Sequence, residues 1–315
     1  MKAVQINTYG GNEILEVNNN VPKPSIAKHQ VLVAVHAASL NPIDKAIRAG
    51  YLKEMAPLRF PATLGGDFSG IVTEVGGGVS HTKVGDPVYG QAILLNGGTG
   101  TLAQFVGANA SNTARKPQNA SYDEAAALPL AGVSALQALE DHIALQHGQR
   151  ILIHGGAGGI GSIAVQLAKS LGGYVATTVR ADDRNYVKEL GADQVIDYQK
   201  EAFEKLLTEF DAVLDTVGGD TTNRSFQVLR RGGILVSMLG QPDPELAKKS
   251  GVTVIGQNTN SNTQHLNRLA ELIDGGKIKI HVDKVFPLEK AREAFRHLEE
   301  GHPRGKIVVK IEDYP

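Results

Sequence analysis

The sequence predicts an α/β chain in which a doubly wound parallel sheet is inserted into a coiled β-domain. Three observations carry that prediction. Short β-like runs separated by turn residues fill the chain up to about Asn119. Strands and helices then alternate between residues 150 and 256, the pattern of a parallel sheet with helices on both faces. The segment Lys306-Ile307-Val308-Val309-Lys310 reads as a strand of the first kind again, which returns the chain to its first domain. The expected boundaries are 1–124 with 265–315 for the β-domain and 125–264 for the inserted one.

The elements follow in order. Val31–Ala38, Gly70–Gly76 and Gly85–Gly90 are β-like, Asn96–Gly100 is a loop, and Thr101–Val106 resumes as strand. Ser121 is placed to cap a helix that begins at Tyr122. Strands are expected at 150–154, 174–179, 194–197, 211–215, 233–238 and 252–256, with helical stretches at 161–171 and 200–208. An amphipathic helix over His265–Ile273 is stopped by Gly275-Gly276, and a further helix covers 288–300.

Composition narrows the function. The chain has 315 residues, 42% hydrophobic and 21% charged, with net charge −1 and no cysteine. That length suits about two domains with a sizeable core. Disulfides, thiolate metal sites and cysteine nucleophiles are excluded. No basic tail or stripe suggests a nucleic-acid partner. No window approaches the roughly 20 apolar residues of a membrane span. Met1–Ile6 enters a strand without a signal-peptide pattern, so a cytoplasmic location is expected.

The most informative stretch is Arg150–Gly161. A β-branched apolar run breaks into G-x-G-x-x-G at Gly156, Gly158 and Gly161, and helical character follows. Such a strand, turn and helix start let a dinucleotide pyrophosphate approach the backbone and face free N–H groups. Gly156, Ala157, Gly158, Gly159 and Ile160 should line it. About 20 residues further on, NAD-preferring folds place an acidic residue on the ribose hydroxyls. Here Thr178, Val179 and Arg180 stand at that strand end, with Arg184 a turn later. A guanidinium binds a 2′-phosphate that a carboxylate would repel, so NADPH is expected over NADH. Asp182 and Asp183 lie close by and argue the other way. Gly218 and Gly240 close later strands and should border the cofactor. Asn258, in the loop Gln257–Asn260, either pins the carboxamide or belongs to an ordinary polar loop.

The segments Ser39-Leu40-Asn41-Pro42-Ile43-Asp44, Arg48-Ala49-Gly50 and Gly66–Val72 extend the pattern. So do Leu128–Ala135, Leu190–Tyr198, Val285–Leu288 and Gly301–Val308. With the glycine turn, they make the whole chain resemble the zinc-independent branch of the medium-chain dehydrogenase/reductase superfamily, the quinone oxidoreductase-like (zeta-crystallin-like) proteins. The resemblance implies a Rossmann domain inserted into a GroES-like domain. It also implies NADPH-dependent reduction of quinones or α,β-unsaturated carbonyls, and a homodimer paired through the edge strand near 252–256. Through it, Ser134 falls in a segment that reaches the nicotinamide end, and Tyr198 resembles a neighbour of the adenine ribose.

Aligned through these motifs, the ligand positions of zinc-dependent relatives hold Asn41, Gly66 and Leu130, and the proton-relay hydroxyl falls at Ile43. None is a good zinc ligand, so no metal is expected. Hydride transfer then needs an acceptor already activated by conjugation and a donor for the developing oxyanion. Asn41 is the first candidate for orienting the carbonyl or the nicotinamide ribose; otherwise it is an Asn-Pro turn residue. Tyr51 donates a proton, stacks on a ring, or packs. Asp44 and Asp67 read as an acid/base pair or, more in keeping with the resemblance, as supporting groups. Lys306 is a distant candidate for approaching the cofactor. An enoyl-thioester reductase and a non-catalytic NADPH-binding protein are the alternatives.

Overall fold

The computed structural model describes residues 1–311. The chain divides into two compact units. One comprises Met1–Leu130, Ser261–Gly275 and the segment from Ile280 onward; the other comprises Ala131–Asn260 with Gly276–Lys279. The inserted unit is thus a little shorter at both ends than expected. The Leu130 N–H is held 3.2 Å from both Asp67 carboxylate oxygens, and Thr263 Oγ1 donates to the carbonyls of Ser111 and Thr113, so both flanks stay with the first unit. Gly276–Lys279 crosses over because Lys279 and the Gln166 side chain exchange two hydrogen bonds, at 2.8 and 3.0 Å.

The first unit contains β1 (Ala3–Ile6), β2 (Glu16–Asn18), β3 (Gln30–Leu40), β4 (Ala62–Thr63), β5 (Asp67–Val75), β6 (Pro87–Gln91), β7 (Phe105–Asn109) and β8 (Thr113–Arg115). Helices α1 (Pro42–Ala49) and α2 (Tyr122–Ala126) belong to it, and α3 (Pro129–Leu136) starts in it. β3 is buried almost throughout, as its unbroken apolar run requires, and it organises the sheet. One edge pairs with β5, and the other is shared by β7 along Gln30–Ala34 and a returning strand along Ala37–Leu40. The strand expected from Thr101 begins only at Phe105. The backbone of Leu102 is spent on Val4 and Leu64 at 2.8 and 2.9 Å, so this stretch bridges β1 and β4. α2 starts where its capping box puts it: Ser121 Oγ accepts from the Glu124 N–H at 3.2 Å, and the Glu124 carboxylate accepts from the Ser121 N–H at 2.8 Å.

The second unit holds β9 (Arg150–His154), β10 (Tyr174–Val179), β11 (Gln194–Asp197), β12 (Phe210–Asp215), β13 (Leu229–Ser237) and β14 (Thr253–Gly256). Its helices are α4 (Gly159–Ser170), α5 (Arg184–Glu189), α6 (Phe203–Leu206), α7 (Asp220–Ser225) and α8 (Pro244–Ser250). The strands form one parallel sheet in the order β11-β10-β9-β12-β13-β14. The order reverses beside β9, the position at which such sheets bind ligands. The helix expected over 200–208 shrinks to α6. The Asp197 carbonyl accepts from Lys200 and Glu201 at 3.0 and 2.8 Å, which makes the preceding residues a turn.

The chain then returns through α9 (Thr263–Asp274), β15 (Val282–Pro287), α10 (Ala291–Glu300) and β16 (Lys306–Lys310). Asn262 caps α9 through its side-chain oxygen, 2.9 Å from the His265 N–H, and Leu266, Leu269, Leu272 and Ile273 form its buried stripe. β16 is the strand that fills the edge of β3 at Ala37–Leu40. Among the described residues no helix is long and apolar enough to cross a membrane.

Candidate functional site

In the second unit the glycine turn takes the shape a pyrophosphate needs. β9 ends at His154, the chain turns at Gly155 with φ +70°, and α4 begins at Gly159 with no side-chain cap on its first turn. The N–H groups at that end, from Gly159 and Ile160 onward, lack intrahelical acceptors and carry the positive end of the helix dipole. A Cβ on Gly156 would sit 2.1 Å from Thr177 Oγ1, and one on Gly161 would sit 2.1 Å from the Gly155 carbonyl. Gly158 differs: a Cβ there would meet only Gly155 O, at 3.4 Å. Gly156 and Gly161 therefore make the turn possible, whereas Gly158 keeps an open face. Ala157 is buried beneath it.

Beneath the turn lies a hydrogen-bond chain that sequence reasoning missed. Gly155 N–H donates to Thr178 Oγ1 at 3.3 Å, and Thr178 Oγ1 lies 3.0 Å from His154 Nδ1. His154 Nε2 lies 3.0 Å from Ser225 Oγ, which itself donates to the Thr221 carbonyl at 2.7 Å. Ser225 must then accept from Nε2–H, and Thr178 must donate to Nδ1, which assigns a neutral imidazole protonated at Nε2. Burial pushes the His154 pKa down to about 4; Asp215 opposes this and Arg224 adds to it. Thr178, expected at the cofactor, is thus buried beneath the turn with its hydroxyl committed to His154 and to the Gly155 N–H. The signal in the sequence was a histidine closing an apolar strand immediately before the glycines.

At the end of β10, Arg180 Nε donates to Tyr198 Oη at 3.1 Å, which joins two of the expected cofactor residues. Tyr198 is exposed. Arg184 instead pairs with Glu201, whose carboxylate also accepts from the Asp197 N–H at 2.8 Å. Gly218 has φ +81° and its N–H donates to Asp215 at 3.0 Å, and Gly240 has φ +102°, so both form tight turns at strand ends. Ser134 is buried, with its hydroxyl 2.8 Å from Thr259 Oγ1, and its carbonyl accepts from Gln257 Nε2 at 3.0 Å. It thereby holds the loop that carries the exposed Asn258.

In the first unit, Asn41, Asp44, Asp67 and Lys306 form one buried cluster. Asn41 Nδ2 donates to Asp67 Oδ2 at 2.8 Å, and Lys306 Nζ donates to Asn41 Oδ1 and, at 2.7 Å, to the Leu40 carbonyl. Asp44 Oδ2 accepts from the Asn41 N–H at 2.8 Å, while Asp44 Oδ1 has no hydrogen-bond partner. Asp67 also accepts from Gln91 Nε2 at 3.4 Å and from the Leu130 N–H. Burial raises the pKa of both carboxyls, Asp44 to about 7, and lowers that of Lys306, whose ammonium the two carboxylates in turn favour. Tyr51 does not join this cluster. It follows α1 with 78% of its surface exposed.

Residues 190–309 match the family described as zinc-binding dehydrogenase, and 27–118 match the alcohol dehydrogenase GroES-like domain. A 2-methylene-furan-3-one reductase of Solanum lycopersicum is 38% identical over 98% of this chain and 79% of its own length. The solved quinone oxidoreductase from Coxiella burnetii shares 36% identity, covers 99% of each chain and superposes with a TM-score of 0.90. This chain belongs to the quinone oxidoreductase-like medium-chain dehydrogenase/reductase family. The Escherichia coli quinone oxidoreductase, solved with NADPH, is 29% identical over 99% of this chain and all of its own, with a TM-score of 0.88. A Rossmann-type sheet and a GroES-like domain are thus the two parts of the molecule, and it is an NAD(P)H-dependent oxidoreductase.

The zinc in the family's description does not fit this member. Asn41 has its amide committed at both ends, Gly66 has no side chain, and Leu130 offers only its backbone N–H, which is turned to Asp67. A catalytic zinc needs thiolate, imidazole or carboxylate donors. Here the cation of the cluster is the Lys306 ammonium. A nicotinamide cofactor does fit, on the open face at Gly158 and the uncapped start of α4.

Proposed function

We propose that this oxidoreductase uses NADPH in preference to NADH and reduces quinones or α,β-unsaturated carbonyls without a metal. The observation that carries the reading is the guanidinium of Arg180, held at the end of β10 by Tyr198, one strand from the glycine turn. An exposed tyrosine hydroxyl and a guanidinium together suit a 2′-phosphate. The two most similar relatives named above reduce a 2-methylene-furan-3-one or a quinone by their names, which supports the same acceptor class. When bound, the cofactor would supply a hydride, and with it two electrons, to an acceptor that conjugation has already made electrophilic. The N–H groups of Gly159 and Ile160 hold the pyrophosphate, Gly218 and Gly240 keep the carboxyl ends of the strands clear, and Asn258 lies in the loop that follows β14 at that end. Asn41 orients the acceptor's carbonyl: with one Nδ2 hydrogen on Asp67, the second remains for a developing oxyanion.

The test is oxidation of NADPH and of NADH, followed by absorbance, against ortho- and para-quinones, enals and enones, with and without chelator. Faster turnover with NADPH, indifferent to chelator, is the expected result. Arg180→Glu should cut the NADPH-to-NADH ratio of kcat/KM by roughly tenfold or more, since it loses a charge-assisted pair and gains repulsion. Binding of NADPH without turnover on any acceptor would mean a non-catalytic role.

A further inference from the structure

The reading of Asn41 above leaves a buried ammonium and two buried carboxylates without a stated task. Burying an ammonium costs several kcal/mol unless its partners repay it, and a lysine so placed is weak evidence for stability. It is better evidence for a site. The geometry here is directional. Lys306 Nζ donates to the Asn41 amide oxygen, and the amide nitrogen of the same group donates to Asp67 Oδ2 at 2.8 Å. A cation on the oxygen and an anion on the nitrogen fix which way the amide faces. The cation also draws electron density from nitrogen toward oxygen, which makes the amide N–H groups stronger donors.

We propose that Lys306 is a positioning residue that polarises the Asn41 amide, so that the free Nδ2 hydrogen acts on the acceptor's oxygen in place of a Lewis acid. The inference rests on Asn41 facing that oxygen. In the step it serves, hydride adds to the β-carbon of an enone and the dihydronicotinamide is oxidised. The alkene π pair then moves to the new α-carbon–carbonyl-carbon double bond, and the carbonyl pair moves to oxygen. Asn41 holds the resulting enolate oxygen until a water proton reaches the α-carbon and the ketone re-forms. A weakly activated enone depends on that oxygen contact more than a benzoquinone does, whose reduction is driven by aromatisation.

The experiment compares kcat for a benzoquinone and for an unsubstituted enone in the native protein, in Lys306→Met and in the charge-balanced Lys306→Met/Asp67→Asn. Dissociation of NADPH is measured by fluorescence for each. The double variant removes one cation and one anion, so it guards against unfolding caused by uncompensated carboxylates. Enone turnover should fall roughly tenfold or more beyond any loss on the quinone, with NADPH affinity unchanged. Within the native protein, the enone-to-quinone ratio should decline as alkaline pH discharges Lys306, whose charged neighbours in the cluster are Asp67 and Asp44. Equal losses on both acceptors, with a pH-independent ratio, would assign Lys306 a structural role and overturn the proposal alone. Absence of turnover in the native protein removes the underlying reading as well.

Discussion

At Asp44 burial works against ionisation, the Asn41 N–H works for it, the neighbouring Asp67 charge works against it again, and Lys306 partly offsets both; the pKa rises from 3.8 to about 7. Between those values the native state keeps a proton that the unfolded chain releases. The stabilisation is therefore present in full below about pH 4 and is lost as pH rises through 7. Asp44→Asn should flatten this part of the stability profile, which urea unfolding at a series of pH values would reveal. An unchanged slope would show that Asp44 is ionised throughout. His154 behaves oppositely. Its pKa is depressed from 6.5 to about 4, so its contribution is present above 6.5 and is lost as pH falls through 4. His154→Leu should remove that acid sensitivity and cost about 1–3 kcal/mol, because Thr178 and Ser225 lose their partner.

Glycines in the strand–turn–helix element around β9 and α4 can be separated by substitution. Gly161→Ala forces a Cβ onto the Gly155 carbonyl and should disrupt the turn, lowering both thermal stability and cofactor affinity. Gly158→Ala meets its nearest atom at 3.4 Å and has an ordinary φ of −77°, so it should fold normally. It should nevertheless weaken NADPH binding by about tenfold or more, because the methyl group occupies the face presented to the phosphates. Calorimetry and cofactor titration on the two variants distinguish these outcomes; equal melting losses would contradict the distinction. This element was legible from sequence because strand, turn and helix are contiguous and their glycines are set by local sterics. The strands at 150–154, 174–179 and 194–197 were legible for the same reason. α6 was not, since a side-chain-supported turn at Asp197 overrides helical propensity. The partners of Asn41 were harder still. Asp67 and Lys306 reach it from 26 and 265 residues away, and no periodicity reports a pairing of that kind.

For the molecule as a whole, the parallel sheet ends at β14, whose outer edge pairs with no other strand among the described residues. We propose that this edge meets its counterpart in a second copy across a two-fold axis. Light scattering should give twice the chain mass of 33.4 kDa, and a monomer mass would remove the proposal. The connectivity of the other unit bears on how the protein is made. Asn41 lies at the end of β3, yet the strand that completes that edge and delivers its ammonium is β16. A ribosome releases the chain in order, and domains tend to fold as they emerge. The inserted unit can therefore close while the first still waits with Ala37–Leu40 uncovered and its carboxylates without their cation. Nascent chains stalled before residue 306 should bind NADPH but stay protease-sensitive in the early β-strands. Translation of one late strand, residues 306–310, then closes the edge of β3 and brings the buried cluster its ammonium in the same step.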